Sequence, residues 1–373
     1  MNDTDLGRGM NSLSAAIRSA QVVVPCADLQ ATMDSFLERL GFRVEVIFPA
    51  DAPATAVLSG HGLTLRLETS NDNTPPPALL LLVDFSALPV NTPRELRLPN
   101  GMKITLVEAR PRIEVPEAQQ EFVISRAGAP HDWGAGRAGM QYRDLIPTRL
   151  GGRFVASHIS IPEGGLVPDY VHYHRIRFQM IFCKAGWVRV AYQDQGPAFV
   201  MSAGDCVLQP PEIRHRVLEA SPGLEVIEIG CPALHETYAD HDLSLPNDRF
   251  KPDRLFGDQR FARHVAKDAT WSPWKIAGFE AQHTEIAAAT NGLAGVSMLR
   301  SARECSGTIR HDGEFLFFFI LHGEFGICGA NVGSHQLREN ESCAIPAGSE
   351  FELTAKPQLE MLAVALPGNI LAA

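Results

Sequence analysis

Long hydrophobic runs are missing from this chain of 373 residues. A bilayer-spanning helix needs roughly 20 consecutive apolar residues, and the oiliest stretches, 78–83 and 315–321, are only strand length. The first twenty residues, MNDTDLGRGMNSLSAAIRSA, lack the apolar core of a signal peptide. Positive charge is short as well: 33 Lys and Arg face 43 Asp and Glu, a net charge of −10, with no basic run. That balance argues against nucleic acid as a partner, and no segment suits a membrane. Seven cysteines, an odd number with no CxxC pair, fit reduced thiols rather than a disulfide framework. These absences predict a soluble, cytoplasmic protein, and its length suits two or three domains.

What is present begins with a small α/β unit. SAQVVVPCADL reads as a strand, and Asp28 is placed to cap a helix over ATMDSFLERL, where Met33, Phe36, Leu37 and Leu40 follow helical spacing. FRVEVIF, ATAVLS and LTLRLE read as strands. TPPPALLLLVDF starts a second, shorter set that closes with PNGMKITLVEA. This β-α-β-β-β order, with DLQATMDSFLERLGF and NGMKITLVE, resembles the glyoxalase/bleomycin-resistance (vicinal-oxygen-chelate) superfamily. The resemblance implies metal ligands on four strands. Gln21, Glu68 and Glu108 fall where three could lie, but PALLLLVDF offers no histidine for the fourth. A metal-free module over 1–110 is expected, followed by a linker over 111–130 rich in Pro, Glu and Gln.

Beyond the linker, short strands alternate with Gly- and Pro-bearing turns, the pattern of a β-sandwich or barrel. An internal repeat divides this part. Trp133 matches Trp274, Gly152 matches Gly292, FCKAGWVRV matches ILHGEFGI and LQPPEIRH matches IPAGSEF, at offsets of 136 to 141 residues. Two copies of one barrel are expected, over 131–245 and 271–373, joined by a linker over 246–270 with a short helix near 258–264.

Histidine is scarce, 13 in all, yet His172 and His174 stand one residue apart in a strand-like run. Residues i and i+2 of a strand share a face, about 6.5 Å apart, so two imidazoles there can converge on one ion at about 2.1 Å each. A third ligand must come from another strand, and His215, after a Pro-Pro kink, is the candidate. The spacing His172, His174, Gln179, Gly186 and then Gly204, Pro210, His215 resembles both motifs of the cupin superfamily, with Glu212 at the second motif's usual Gly. The resemblance implies a mainly β fold of two tandem cupin (double-stranded β-helix, jelly-roll) barrels after the glyoxalase-like domain. It also implies one divalent metal ion held by His172, His174, His215 and, at the fourth position, Gln179.

That fourth position normally carries a carboxylate. A neutral amide leaves a divalent ion its full charge, so Gln179 either ligates weakly or hydrogen-bonds substrate or water. Such a site is similar to the three-histidine dioxygenases of the gentisate type and implies Fe(II), although Zn, Ni, Mn and Co also suit three histidines. In the second barrel the matching positions hold Ile309, His311, Leu316 and Phe351, so that barrel is expected to be metal-free, with His311 at a turn or the surface.

His158, on the strand before the metal motif, either lines the pocket as an acid or base or is a plain buried histidine. Arg175, Arg177, Arg214 and Arg216 either make surface or dimer salt bridges or fold over the mouth to bind a carboxylate. Cys183 and Cys206 are expected to face the barrel interior as small core residues. Tyr170, Phe178, Met180 and Phe182 are expected to pack, some of them forming the pocket's apolar wall. His235 and His241 either lie in a solvated connection or bind a second ion.

The function expected from the resemblance is a mononuclear non-heme dioxygenase acting on a small anionic or enolisable molecule, aromatic or β-dicarbonyl. A metal-dependent isomerase or lyase working without O2, and a non-catalytic small-ligand binder, remain the alternatives. A homodimer is the default assembly.

Overall fold

The computed structural model describes residues 17–49, 53–70, 75–128, 133–136, 139–330 and 332–372. The N-terminal stretch MNDTDLGRGMNSLSAAIRSA lies, up to residue 16, outside them. No described helix is long and apolar enough to cross a membrane. The chain divides between Arg112 and Ile113 into two compact units.

The first unit opens with strand β1 (Val22–Cys26), helix α1 (Leu29–Asp34) and strands β2 (Arg43–Phe48), β3 (Thr55–Gly60) and β4 (Leu63–Thr69), in sheet order β1-β4-β3-β2. Asp28 caps α1, its carboxylate accepting from the Ala31 N–H at 2.9 Å. The helical spacing read from the sequence continues as one wider turn over Ser35–Arg39, which buries Phe36. A second sheet, β5-β7-β6, joins β5 (Leu79–Val83), β6 (Glu95–Arg97) and β7 (Lys103–Glu108), with a single 3-10 turn, Phe85–Ala87, between β5 and β6. Glu68 pairs with Arg66 at 2.6 Å, and Glu108 accepts from the Phe85 N–H at 3.2 Å, so both carboxylates have local partners.

The second unit holds two barrels. In the first, a sheet of β23-β17-β14-β19-β11-β10-β9 is joined by a sheet of β16-β15-β18-β13-β20, with β12 (Gly165–Leu166) added on β18. Its strands are β9 (Gly134–Ala135), β10 (Gln141–Asp144), β11 (Val155–Ile161), β13 (His172–His174), β14 (Phe178–Ala185), β15 (Trp187–Tyr192), β16 (Phe199–Ser202), β17 (Cys206–Leu208), β18 (His215–Ala220), β19 (Leu224–Cys231), β20 (Thr237–Ala239) and β23 (Ala262–His264). The second barrel repeats the design with sheets β24-β25-β26-β33-β28-β31-β8 and β27-β32-β29-β30. These are β8 (Val123–Ser125), β24 (Ser272–Pro273), β25 (Phe279–His283), β26 (Gly295–Ser301), β27 (Cys305–Arg310), β28 (Phe315–His322), β29 (Glu324–Gly329), β30 (Gly333–Arg338), β31 (Ser342–Ala344), β32 (Glu350–Ala355) and β33 (Leu359–Leu366). The chain is thus mainly β, with the repeat visible as two matching sandwiches.

Both expected linkers need correction. Residues 123–125 form β8, which pairs with β31 of the second barrel. The short helix expected near 258–264 is instead β22 (Gln259–Arg260), hairpinned to β21 (Leu255–Phe256), and then β23, which pairs with β17 of the first barrel. Each segment covers a sheet edge whose unpaired N–H and C=O groups would otherwise remain exposed.

Period-2 alternation decides what each face of β14 meets. Phe178, Met180 and Phe182 join Phe154 and, from the second barrel, Phe315, Phe317 and Phe319 in one core between the barrels. The Phe154 and Phe315 rings stack at 4.2 Å. Gln179, Ile181 and Cys183 point the other way, into the first barrel. Of Tyr170, Phe178, Met180 and Phe182, the last three pack as expected, but between the barrels, and none of the four forms the pocket's wall; Tyr170 is half exposed. Cys206, on the inter-barrel side, is also corrected, whereas Cys183 does face the interior.

Candidate metal centre

The site is built where β13 meets β18. His172 lies directly opposite His215 across that pair, and His174 follows two residues on. All three rings are buried, and one ligand atom from each lies within 4.8 Å of the others. Ring centroids are 4.2 Å apart for His172 and His215, and 5.4 Å for each of the other two pairs.

Each ring is held by its Nδ1. That of His172 meets the Tyr170 carbonyl at 2.9 Å, that of His174 the Glu236 carbonyl at 3.3 Å, and that of His215 the Ile213 carbonyl at 3.0 Å. A carbonyl oxygen only accepts, so each Nδ1 carries the hydrogen and Nε2 keeps the lone pair that a metal takes. The buried Asp169 carboxylate lies 3.6 Å from the His172 Nδ1. Three imidazoles fixed in the metal-binding tautomer and converging in one cavity fit a divalent ion. The second motif's departure also has a structural answer. Glu212 sits at φ +61°, the left-handed region that its usual glycine adopts freely. Its N–H donates to the His174 carbonyl at 2.9 Å, tying the two motifs together.

The rings open on a cavity of about 100 Å³. Its walls are Met140, Ile159, Ile161, Val188, Val190 and Val226, among other apolar residues, with a polar end at Gln179, Gln209, Tyr192 and Glu228. Gln179 Nε2 donates to Glu228 Oε1 at 2.6 Å. Gln209 Nε2 donates to the Tyr192 hydroxyl at 2.9 Å, and the Tyr192 ring stacks on His215. Burial pushes the Tyr192 hydroxyl's pKa up, so it stays protonated. Burial also pushes the Cys183 thiol up to about 12, which makes it packing rather than a nucleophile.

Glu228, Tyr192 and Gln209 are site residues that the sequence reading missed. Glu228 had a findable signal, lying on β19 beside Gln179 at the same parity as Val226, whereas Gln209 follows the end of β17 and bonds the Gln179 carbonyl through its N–H at 2.9 Å.

His158 is not among the cavity residues. Alternation sends Ile159 and Ile161 inward and His158 toward the second barrel, where its ring meets Phe319 edge-on at 5.5 Å. Its Nε2 pairs with Glu225 Oε2 at 2.8 Å. That contact, with Lys184 beside it, holds the Glu225 carboxyl down to about 2, and burial holds the imidazole's own pKa down. Of the two readings of His158, acid–base group in the pocket or plain buried histidine, these contacts fit the second.

Arg175, Arg177 and Arg214 are engaged within the chain. Arg177 makes two contacts to Glu314 of the second barrel, at 2.8 and 3.0 Å, Arg153 shares that carboxylate, and Arg175 meets Glu212 at 3.4 Å. Arg214 pairs with Asp240 at 3.0 Å and lies over the Tyr173 ring. Arg216, opposite Ala191 in the strand register, is among the residues lining the cavity, and its Nε is buried without a hydrogen-bond partner. His235 abuts the His174 ring at 5.2 Å and bonds the Pro232 carbonyl, and neither it nor His241 joins a ligand cluster among the described residues.

In the second barrel, Ile309, Leu316 and Phe351 lie in a closed apolar core with Phe318, Phe325 and Leu353. His311 lies in the connection between β27 and β28, the turn position of its two readings, and is buried rather than on the surface, with Nε2 on the Ile345 carbonyl at 2.9 Å.

No family model matches this chain, and no curated protein does. Solved structures do. Salicylate 1,2-dioxygenase from Pseudaminobacter salicylatoxidans is similar at 14% identity over 67% of this chain and 86% of its own, with a TM-score of 0.49. Oxalate decarboxylase from Lactobacillus farciminis is similar at 13% identity over 63% of this chain and 83% of its own, TM-score 0.46. The Bacillus subtilis oxalate decarboxylase is similar at 10% identity over 70% and 80%, TM-score 0.47.

Proposed function

We propose that the chain is a mononuclear non-heme dioxygenase of the cupin type, acting on a small anionic or enolisable organic molecule of the aromatic or β-dicarbonyl class. The single observation that carries this reading is the convergence of His172, His174 and His215, each fixed through Nδ1, at the end of an otherwise apolar cavity. Fe(II) bound there would supply Lewis acidity and access to dioxygen. The chain's own residues would do the rest. The three imidazoles hold and orient the ion without neutralising it. The aliphatic walls exclude water, which strengthens every charge interaction at the polar end. Gln179 and Glu228 form a fixed polar pair beside the rings, and Tyr192 and Gln209 support the outer face of His215.

The reading extends to the first unit, taken as a metal-free glyoxalase-like module on its β-α-β-β-β order. The test is metal analysis of protein purified without added metal, beside His174→Ala, followed by oxygen uptake with catechols, gentisates and β-diketones. About one equivalent of iron in the parent, lost in the variant, with oxygen consumed by one substrate class, is the expected result. Turnover without oxygen uptake would move the assignment to a metal-dependent isomerase or lyase.

A further inference from the structure

The donor set of the metal centre brings no negative charge. His172, His174 and His215 would bind as neutral imidazoles, and Gln179 is an amide. Glu228 and Arg216, which both line the cavity, are of opposite sign. A divalent ion held by neutral donors gains from a carboxylate placed behind them.

Asp169 stands in that place. It lies three residues before His172, in the connection between β12 and β13, and its side chain has no exposed surface. Its Oδ1 is 3.6 Å from the His172 Nδ1. That is longer than a hydrogen bond, and the Nδ1 hydrogen goes to the Tyr170 carbonyl at 2.9 Å, so the carboxylate acts on the ring through its charge. The other oxygen, Oδ2, accepts from the Val217 N–H at 3.0 Å. Val217 follows His215 by two residues on β18, and the Val167 N–H donates to the neighbouring Leu218 carbonyl at 3.1 Å. One side chain therefore ties the approach to β13 onto β18, where His172 pairs directly with His215, and sets a negative charge against one of the rings.

The strand contact alone does not call for a charge. An amide oxygen would serve the Val217 N–H, whereas burying a carboxylate is costly unless positive charge compensates it. We infer that Asp169 is a positioning residue of the metal centre, which aligns the two ligand strands and stabilises the bound ion electrostatically from behind His172. This rests on the metal-site reading above and deepens it. The added negative charge strengthens metal binding and, where the ion is iron, favours Fe(III) over Fe(II).

Asp169→Asn separates the two roles, because it keeps an acceptor for Val217 and removes the charge. The full chain and this variant, both metal-free, are compared by far-ultraviolet circular dichroism and thermal unfolding. Zinc is then titrated into each against a competing chelator, and the midpoint potential of the iron-loaded chains is measured. The variant is expected to fold as the parent does, to hold zinc about 10- to 100-fold more weakly, and to show a higher iron potential. Equal zinc affinity would overturn the inference. So would weaker zinc binding with an unchanged potential, which would leave Asp169 a strand contact only. If Asp169→Asn does not fold, Asp169→Glu decides: it keeps the charge, so zinc affinity near the parent's supports the inference and a loss of about tenfold or more overturns it. A parent that takes up no zinc sinks the metal site and the role of Asp169 together. About one equivalent in the parent, held equally well by Asp169→Asn, sinks only the latter.

Discussion

Gln179 and Glu228 face each other across adjacent strands of the first barrel, amide nitrogen to carboxylate oxygen at 2.6 Å. The carboxylate missing from the first motif is thus present in the cavity, but it comes from β19 and is held by the residue that stands in its usual place. This arrangement orients Gln179 through its NH2 group, and the proposed metal centre then takes its donors from the three histidines. Gln179→Leu should retain about one equivalent of metal while costing about 1–3 kcal/mol of stability, because Glu228 loses its donor. Metal analysis and urea denaturation read the two effects, and loss of the metal would show instead that the amide oxygen is a ligand.

Removing any one of the three rings has a larger effect. His172→Ala, His174→Ala and His215→Ala should each abolish stoichiometric metal binding while the far-ultraviolet circular dichroism stays that of a folded β protein. Chelation of the metal from the parent should lower Tm, since a ligand present at a hundred times its Kd stabilises the native state by about 2.7 kcal/mol. A Tm indifferent to chelator would contradict a bound ion.

The ion pairs between the barrels predict an acid limb. Arg177 and then Arg153 hold the Glu314 carboxyl down from 4.5 to about 2. The unfolded chain takes up this proton more readily than the folded one, so the contribution is full above the ordinary value. It is lost as pH falls from 4.5 toward 2. Glu314→Gln should cost about 1–2 kcal/mol at neutral pH, allowing for its partial exposure, and its stability should converge with the parent's near pH 2. Denaturation midpoints across that range provide the check.

Glu212 holds a left-handed backbone, φ +61°, that a side chain disfavours. Glu212→Gly should therefore stabilise the chain by about 1 kcal/mol, less whatever the Arg175 contact at 3.4 Å contributes. A destabilised variant would show that the Arg175 pair outweighs the relief of strain.

His158 serves the interface between the barrels. His158→Gln should lower stability by about 1–3 kcal/mol through loss of the buried contact to Glu225. It should leave metal content and the pH profile of turnover unchanged. A shifted pH profile would restore the acid–base role.

The three-histidine set was legible because two of its members obey a local rule, the shared face of residues i and i+2, and the third follows at a recognisable spacing. The same period-2 rule would have separated Gln179, Ile181 and Cys183 from Phe178, Met180 and Phe182. It could not say which face meets the cavity and which meets another barrel. Both faces of β14 are buried, so the apolar pattern is continuous there and carries no direction. The same ambiguity misplaced Cys206 and left His158 open. His311 was misread because Asp312 and Glu314 beside it suggest a surface, whereas Glu314 is spent on Arg177 and Arg153 of the first barrel.

By itself the sequence determined the strand-rich character of the chain, the duplication and the pairing of His172 with His174, since these rest on composition, repeat spacing and the geometry of one strand. Only the tertiary structure decided that β8 and β23 close sheet edges, that the aromatic faces join the barrels, and that Glu228 confronts Gln179. Those relations depend on which strands become neighbours. Hydrogen-bond pairing between residues far apart in the chain, Gln179 with Gly230 or Ser125 with Ser342, settles that, and no local pattern encodes it.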